Sequence, residues 1–180
     1  ASSTSHGMAN GAIGYFSDTT EGMNELAGAA FSVANQATST FELQAENTTS
    51  YGTFTSGTFT PVLTWSTLST ATSYSIGDAA ADQIDTTTLL DRLKQSEIGL
   101  LASQTVTIEG FSDPQSAAAL LIRAAALNVS YVVVRITLSN GERRIFRGMP
   151  SLPGESLSVG QKATGSLTFA VKGKVGMLVA

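Results

Sequence analysis

The sequence predicts a mainly β protein, an antiparallel β-sandwich or barrel with one flanking α-helix at about 114–127 and a long loop at about 66–92. Two observations predict this class. Short stretches that alternate apolar and polar residues recur along the chain between turn-rich segments, which is typical of strands with one covered face. One stretch, after Asp113, has apolar residues at helical spacing. Residues 13–180 are therefore expected to form a single domain, preceded by a flexible arm of small residues at 1–12.

The N-terminal third of the chain predicts three strands. Residues 13–16 are a short candidate, and 40–46 alternate between an apolar face and a wet, acidic face. Residues 59–65 are a third candidate, which Pro61 places at a sheet edge or a bulge. Small residues dominate 24–34, where helix and strand both remain open. The acidic face of the second candidate consists of Glu42, Gln44 and Glu46.

The stretch 66–92 is polar and rich in Ser and Thr, and it holds four acids before its first base, Arg92. Those acids are Asp78, Asp82, Asp85 and Asp91. A long connection within a compact domain is usually functional or disordered. Because Ile84, Leu89 and Leu90 supply apolar anchors, a docked loop is predicted. One or two helical turns are predicted at 89–97.

The second half predicts a strand, a helix and a hairpin. Residues 104–111 alternate clearly and form the strand. Asp113 is predicted to cap the helix, with Pro114 at the first helical position and Asn128 at the end. A strand at 129–138, a two-residue Asn140-Gly141 turn at which both residues tolerate positive φ, and a strand at 142–148 form the hairpin. A loop at 149–160 and strands at 162–171 and 175–179 complete the chain.

The composition excludes several function classes. The chain has no cysteine and one histidine, His6 in the predicted arm, so neither thiol chemistry nor a histidine-based triad or metal site is expected. There is no glycine-rich phosphate motif, a pI near 4.9 disfavours a nucleic-acid grip, and no apolar run is long enough to span a membrane. We expect no catalytic residue, cofactor or metal. A weak Ca²⁺ site at Asp82 and Asp85 is less favoured than acids on a solvated or interface loop.

Charge is divided unevenly along the chain. The first ninety-one residues hold nine acids and no base, and the remainder holds five acids and all ten bases, so the two halves carry formal charges of −9 and +5. Such halves attract each other within one subunit, or between copies in a head-to-tail contact that repeats into rings or filaments. Both arrangements remain open from charge alone.

Two stretches resemble a known family. The first is Ala-Asp-Gln-Ile-Asp-Thr-Thr-Thr-Leu at 81–89, preceded by Leu-Thr-Trp at 63–65. The second runs from 134–138 through the Asn140-Gly141 turn to Ile-Phe-Arg-Gly at 145–148, followed by the strand 165–171. In this order they resemble the major tail tube protein of long-tailed, non-contractile (siphovirus-type) bacteriophages, over roughly residues 40–180.

The resemblance implies a structural virion protein of the phage tail, not an enzyme. Such proteins self-assemble into hexameric rings that stack into a hollow tube for DNA delivery, and their long loop and terminal arms reach adjacent subunits. The expected partners are copies of the chain itself, a tape-measure protein, a tail terminator and distal tail proteins. The resemblance also implies that DNA passes through the lumen without specific binding, that no membrane is involved and that synthesis occurs in the host cytoplasm.

Two groups of residues are predicted to carry this role. The long loop is expected to dock on basic residues of a neighbouring copy, and an acidic lumen is expected to let DNA slide because it repels phosphate. The inter-subunit candidates are Asp78, Asp82, Ile84, Asp85, Leu89 and Asp91 on the loop, with Arg143, Arg144 and Lys172 as basic partners. The lumen-facing candidates are Glu42, Gln44, Glu46 and Glu109.

A rival class is a β-sandwich carbohydrate-binding or adhesin module, in which Trp65, Tyr74 and Tyr131 stack on sugars. Such a module stays monomeric and binds glycans, whereas a tube protein forms rings or tubes. An enzyme is a third reading, which the shortage of histidine weakens.

Overall fold

The computed structural model describes residues 6–18, 21–90 and 92–179. These residues form antiparallel strands, a short 3-10 helix at Asn24–Leu26 and one α-helix. The elements are β1 (Ile13–Phe16), β2 (Ala30–Ala34), β3 (Glu42–Leu43), β4 (Phe59–Pro61), β5 (Ala71–Ile76), β6 (Ala81–Asp85), β7 (Ser96–Leu101), β8 (Thr105–Phe111), α1 (Ala117–Leu127), β9 (Val132–Thr137), β10 (Arg143–Pro150), β11 (Gly154–Ser156) and β12 (Thr164–Leu178).

The main sheet has the strand order β5-β8-β12-β10-β9, with β11 paired to β12. Its longest strand, β12, pairs with β8 along its first half, up to Ala170 opposite Thr105. From Phe169 onward β12 pairs with β10. One face of this sheet packs against α1 through a core that contains Phe146, Phe169 and Ile122.

A second sheet, β3-β2-β1-β4, covers the other face of the main sheet near the end of β12. Ile13 and Ala30 pack there against Ile145 and Leu178. Ile145 and Phe146 are successive residues of β10, so their side chains enter different cores on the two faces. Two packed antiparallel sheets with one flanking helix confirm the predicted fold class.

The strands β6 and β7 form a separate two-stranded sheet. The chain leaves the main sheet after β5, forms this hairpin and returns at β8. Among the described residues, β6 and β7 pair only with each other. The stretch 66–92 is therefore not one long loop, because β5 and β6 lie within it, and the helical turns predicted at 89–97 are wrong. The alternation Ser-Tyr-Ser-Ile at 73–76, with Tyr74 and Ile76 against the core, is the strand signal for β5.

The helix α1 begins later than predicted. Its N-cap is Ser116, whose hydroxyl accepts a hydrogen bond from the Ala119 amide at 3.3 Å, instead of Asp113. Asp113 closes a turn just before the helix, where its carbonyl accepts from the Ser116 amide. A hydroxyl at the N-cap satisfies an otherwise free helix amide, so Ser116 caps the helix in place of Asp113. The predicted end at Asn128 is confirmed.

Backbone conformation explains the remaining differences. The predicted strand at 40–46 is only two residues long because Ala45 has φ of 57°. In the β9–β10 turn Gly141 takes the positive φ of 88°, and Asn140 instead accepts a hydrogen bond from the Glu142 amide. The two closing strands are one continuous β12, which accommodates a positive φ at Gly173.

The remaining predictions concern the first strands and the N-terminal arm. The strand at 13–16 is confirmed, the undecided region 24–34 contains the 3-10 helix and β2, and the third candidate strand keeps only 59–61. Within the predicted arm, the Gly11 amide donates to the carbonyl of Val33, so the described part of the arm is docked on β2. No helix in the described ranges is both long and apolar enough to cross a membrane.

Candidate assembly surfaces

The β6–β7 unit, here called the projecting hairpin (80–102), exposes large apolar side chains that no core of the subunit covers. At its tip Leu90 is 94% exposed. An isolated two-stranded hairpin is marginally stable in water, and a cluster of this kind marks an interaction surface. The projecting hairpin therefore has the features of an interaction surface. Its exposed apolar residues are Ile84, Leu89, Leu90, Leu93, Ile98, Leu100 and Leu101.

The loop residues predicted to contact a neighbour lie on or beside the projecting hairpin. Asp82, Ile84 and Asp85 are exposed on β6, Leu89 is exposed at the tip and Asp78 is exposed ahead of the hairpin. Asp91 lies outside the described residues. The structure thus places the described candidates on the projecting hairpin or directly before it.

Charges of both signs meet at the tip end of the projecting hairpin. Asp85 accepts a hydrogen bond from the Thr87 amide at 3.0 Å and lies 3.4 Å from the Lys94 ammonium. Hydrogen bonds from Thr87, followed by the contact with Lys94, hold the pKa of Asp85 below its usual value. Among the described acids of the projecting hairpin, Asp82 lies nearer the main sheet, whereas Asp85 and Glu97 lie at the tip end of the ladder, close to Lys94.

The three predicted basic partners differ in availability. The Arg144 guanidinium already pairs with Glu142 at 2.8 Å, and the Lys172 ammonium pairs with Asp18 at 2.8 Å. Arg143 is exposed at the start of β10. Of the three, Arg143 is the best placed to meet an acid from another copy.

The acidic and basic halves of the chain attract each other inside the subunit. Asp18, which follows β1, receives both Arg147 at 2.7 Å and Lys172 at 2.8 Å. The hydrogen bond from Lys172 is the largest cause that lowers the pKa of Asp18, and Arg147 adds to it against the opposing effect of burial. The Arg147 guanidinium also lies over the rings of Tyr15 and Tyr131, at 4.5 and 4.8 Å. This cluster joins the second sheet to the main sheet.

The predicted lumen residues on and after β3 accept hydrogen bonds from other residues of the same subunit. The Glu46 side chain is only 6% exposed and accepts hydrogen bonds from Lys174 and the Tyr51 hydroxyl, each at 2.5 Å. Gln44 accepts a hydrogen bond from the Ser32 hydroxyl. Glu42 accepts a hydrogen bond from the side-chain amide of Asn35, and it remains exposed. Glu46 is therefore a poorer candidate for a lumen wall than Glu42 or Gln44.

Glu109, which was predicted to face the lumen, lies on a polar surface that extends over three strands of the main sheet. Val106 and Ile108 of β8 point into the helix-side core, so Glu109 and its alternate neighbours point to the opposite face. Register places Ser73 and Ser166 beside Glu109, and a hydroxyl pair spans β8 and β12 at 3.4 Å. We call this surface the hydroxyl face: Ser73, Ser75, Thr105, Thr107, Glu109, Ser166 and Thr168. Alternating Ser and Thr in three strands was the available signal.

The aromatic residues proposed for sugar stacking all contact other side chains. Arg135 lies over the Trp65 ring at 4.7 Å, and Lys172 lies over the Tyr131 ring at 5.0 Å. Tyr74 packs against the helix-side core. These contacts give no support to a carbohydrate-binding surface built from the three rings.

Two packed antiparallel sheets with one flanking helix and an exposed apolar hairpin define a β-sandwich protein. The profile of the phage tail tube protein (TTP) family matches residues 21–180, so the chain belongs to the phage tail tube protein family. This confirms the resemblance and makes the chain a structural component of the virion tail. No curated protein matches the chain.

Among solved structures, the chain is similar to one described as the tail of an empty GTA particle, computed with helical refinement in C6 symmetry. The two chains are 15% identical, with a TM-score of 0.48, and the match covers 63% of this chain and 85% of the other.

Proposed function

We propose that copies of this chain assemble into stacked rings of six subunits, which form a hollow tube through which DNA is delivered. The observation that carries the proposal is the projecting hairpin, because a subunit that leaves seven large apolar side chains in water is incomplete alone. A hairpin docking on a different patch of the next copy is a heterologous contact, and such contacts repeat into rings or filaments.

The edges of the main sheet support lateral assembly. In the described chain, β5 and β9 are the outermost strands and each pairs on one side only. Exposed strand edges invite pairing with another chain, and a closed ring of subunits covers them. The same six subunits would thereby form a continuous wall.

The hydroxyl face is the surface best suited to the lumen. DNA carries about one negative charge per 1.7 Å of helix axis, and proteins that grip it do so with bases that displace counterions. The hydroxyl face consists of six hydroxyl side chains and one carboxylate, Glu109. Such a surface stays hydrated and offers phosphate no cation, so DNA slides along it. Glu42 and Gln44 are proposed to extend this wall.

The remaining parts of the proposal concern the partners. The exposed acids on and beside the projecting hairpin, Asp78, Asp82 and Asp85, are proposed to contact a neighbour, with Arg143 the available base. A tape-measure protein, a tail terminator and distal tail proteins are proposed to contact the tube inside and at its two ends. Synthesis in the host cytoplasm precedes assembly.

Negative-stain imaging of the purified protein tests the proposal. The wild-type chain is expected to form tubes or sixfold rings, whereas a variant with Leu89→Ser, Leu90→Ser and Leu93→Ser is expected to remain as single subunits. Each leucine loses about 1.5–3 kcal/mol of burial against a neighbour. Leu63→Ser is the control, because Leu63 is equally exposed but lies outside the projecting hairpin. Featureless wild-type particles at high concentration would refute the proposal.

The lumen assignment has its own test. Glu109→Lys is expected to leave tubes intact but to make them retain DNA at low salt, because each added base contributes to salt-dependent phosphate binding. Retention is measured as DNA that co-sediments with tubes across a salt series. Glu97→Lys on β7 is the control, and equal retention by both variants would place the lumen elsewhere.

A further inference from the structure

The chain contains two Asn-Gly dipeptides, Asn10-Gly11 and Asn140-Gly141, and both lie in turns with the asparagine exposed. Asparagine is one of the chemically least durable residues in proteins. A glycine after it has no side chain to hinder attack by its backbone nitrogen on the asparagine amide. The two dipeptides share this chemistry, so the contacts that the fold gives each of them decide which one reacts.

The reaction is a ring closure followed by hydrolysis. The Gly141 backbone nitrogen, after it loses its proton to water, forms a bond to Cγ of Asn140. The bond from Cγ to Nδ2 breaks, and that nitrogen takes up a proton and leaves as ammonia. Water then opens the cyclic succinimide at the side-chain carbonyl to give aspartate, or at the main-chain carbonyl to give isoaspartate. The net change is water consumed and ammonia released, with no oxidation or reduction.

The hydrogen bonds that hold the reacting groups at Asn140 are all local. The side-chain oxygen Oδ1 accepts from the Glu142 amide at 3.1 Å, which polarises Cγ toward attack. The Gly141 amide donates to the Leu138 carbonyl at 3.0 Å, and the Leu138 amide donates to the Glu142 carbonyl at 2.9 Å. Opening this turn therefore frees the attacking nitrogen without disturbing a core, and such local openings cost little free energy.

The corresponding groups at Asn10 are bound to a distant part of the chain. Its Oδ1 accepts from the Gln36 amide at 2.8 Å, and the Gly11 amide donates to the Val33 carbonyl at 2.8 Å. The Val33 amide returns a bond to the Ala12 carbonyl, also at 2.8 Å. Val33 belongs to β2, four of whose five residues are buried. The Gly11 nitrogen is free to attack only when the arm separates from β2, which is a larger opening than that of a hairpin turn.

We propose that Asn140 is a self-modification site, which the chain converts through a succinimide to aspartate and isoaspartate, and that docking on β2 protects Asn10. The inference goes beyond the proposed function and does not require assembly. Its product adds a negative charge to a turn that Arg143 closely follows. Isoaspartate also lengthens the main chain inside the turn, where the pairing of Leu138 with Glu142 fixes the register of the hairpin.

Peptide mapping of the aged full-length chain tests the site. The protein is incubated at mildly alkaline pH and digested with a glutamate-specific protease, because the chain has no base before Arg92. Mass spectrometry then follows the replacement of amide by acid at each asparagine. Conversion at Asn140 is expected to be about tenfold faster than at Asn10. It should also accelerate about tenfold per pH unit, because the attacking nitrogen must lose a proton. Equal rates at the two sites in the folded chain would overturn the inference.

Urea supplies the matched control, because it removes the fold and leaves both dipeptides intact. In urea the two rates are expected to agree within about a factor of three, since only flanking residues still differ. A preference for Asn140 that persists undiminished in urea would overturn the role of the fold. Asn140→Gln should abolish conversion at that position, because the longer side chain disfavours the ring.

One consequence of the modification rests on the proposed function, in which Arg143 meets an acid of a neighbour. Asn140→Asp and Asn10→Asp each add one negative charge and keep an oxygen for the same backbone hydrogen bond. Tube yield at low salt is expected to fall about two- to threefold for Asn140→Asp only, because the new carboxylate competes for Arg143. Equal yields would overturn this consequence. If the unmodified chain forms no tubes, the proposed function and this consequence fail together, while the peptide map still decides the modification site.

Discussion

Both the helix-side core and the projecting hairpin are rich in large apolar side chains, but the core buries them and the hairpin exposes them. In the core, Phe146 and Phe169 are almost completely buried and their rings meet edge to face at 5.7 Å. On the projecting hairpin, Leu89 and Leu90 are almost completely exposed. Apolar surface stabilises whatever buries it. The first region therefore stabilises the subunit, and the second is available to stabilise contacts between subunits.

The largest effect that separates the two regions is expected from truncation of the core. Phe146→Ala should lower the free energy of unfolding by about 3–5 kcal/mol, because it removes a buried ring and leaves a cavity. Leu90→Ala should change subunit stability by less than about 0.5 kcal/mol while it weakens assembly. Urea denaturation of unassembled protein measures both. Similar losses in the two variants would mean that the hairpin packs on its own subunit.

A smaller effect is expected where the second sheet meets the last strand. Lys174→Met should destabilise the subunit by about 1–3 kcal/mol, because it leaves the Glu46 carboxylate buried with the Tyr51 hydroxyl alone. Lys162→Met is the control, because Lys162 lies just before β12 over the Phe111 ring and forms no ion pair with a described residue. Equal unfolding midpoints in urea for the two variants would contradict a structural role for the Glu46–Lys174 pair.

The pKa of Lys174 gives this pair a signature at alkaline pH. Burial lowers it, but the hydrogen bonds to Glu46 and Tyr51 outweigh burial, so the pKa of Lys174 is raised above 10.5. A group whose pKa is raised on folding contributes stability that is fully present below its unfolded pKa. That stability is lost as pH rises through its folded pKa. The stability difference between the wild type and Lys174→Met should therefore shrink above about pH 10.5.

The smallest effect is expected at Asp18. Its pKa is lowered in the folded subunit by Lys172 and Arg147, so its contribution is complete above the unfolded value near 3.8 and disappears as pH falls through the lower, folded value. Asp18→Asn should cost less than about 1 kcal/mol at neutral pH, since the side chain is partly exposed to screening solvent. Thermal unfolding from pH 7 down to pH 3 should show the two curves converging. Parallel curves would assign the stability to another group.

Sequence patterns predicted the main sheet better than the projecting hairpin. The strand β8 and the β9–β10 hairpin were readable because one side of each strand is buried, which enforces alternation. In β7 the run Ile-Gly-Leu-Leu has no buried side within the subunit, so alternation was not enforced and no strand was predicted.

Site residues could likewise be predicted only where the pattern of a single segment revealed them. The loop residues Ile84 and Leu89 were predicted because apolar side chains in a polar stretch stand out, and they are exposed as an interface requires. Glu46 was predicted as open to solvent because its partners lie outside its own segment: Tyr51 in the following turn and Lys174 far along the chain. Pairings of that kind depend on packing between sheets, which a periodic pattern in one segment does not contain.

The continuous strand β12 determines where an external force would enter the subunit. The projecting hairpin is fastened at its base to the middle of this strand, since the Val171 amide donates to the Gln104 carbonyl at 2.9 Å and the Ser103 hydroxyl donates to the Val171 carbonyl at 2.8 Å. Tension on the hairpin therefore reaches β12 at its midpoint and spreads along β8 in one direction and β10 in the other. A load that enters in this way is shared among the backbone hydrogen bonds of the two ladders.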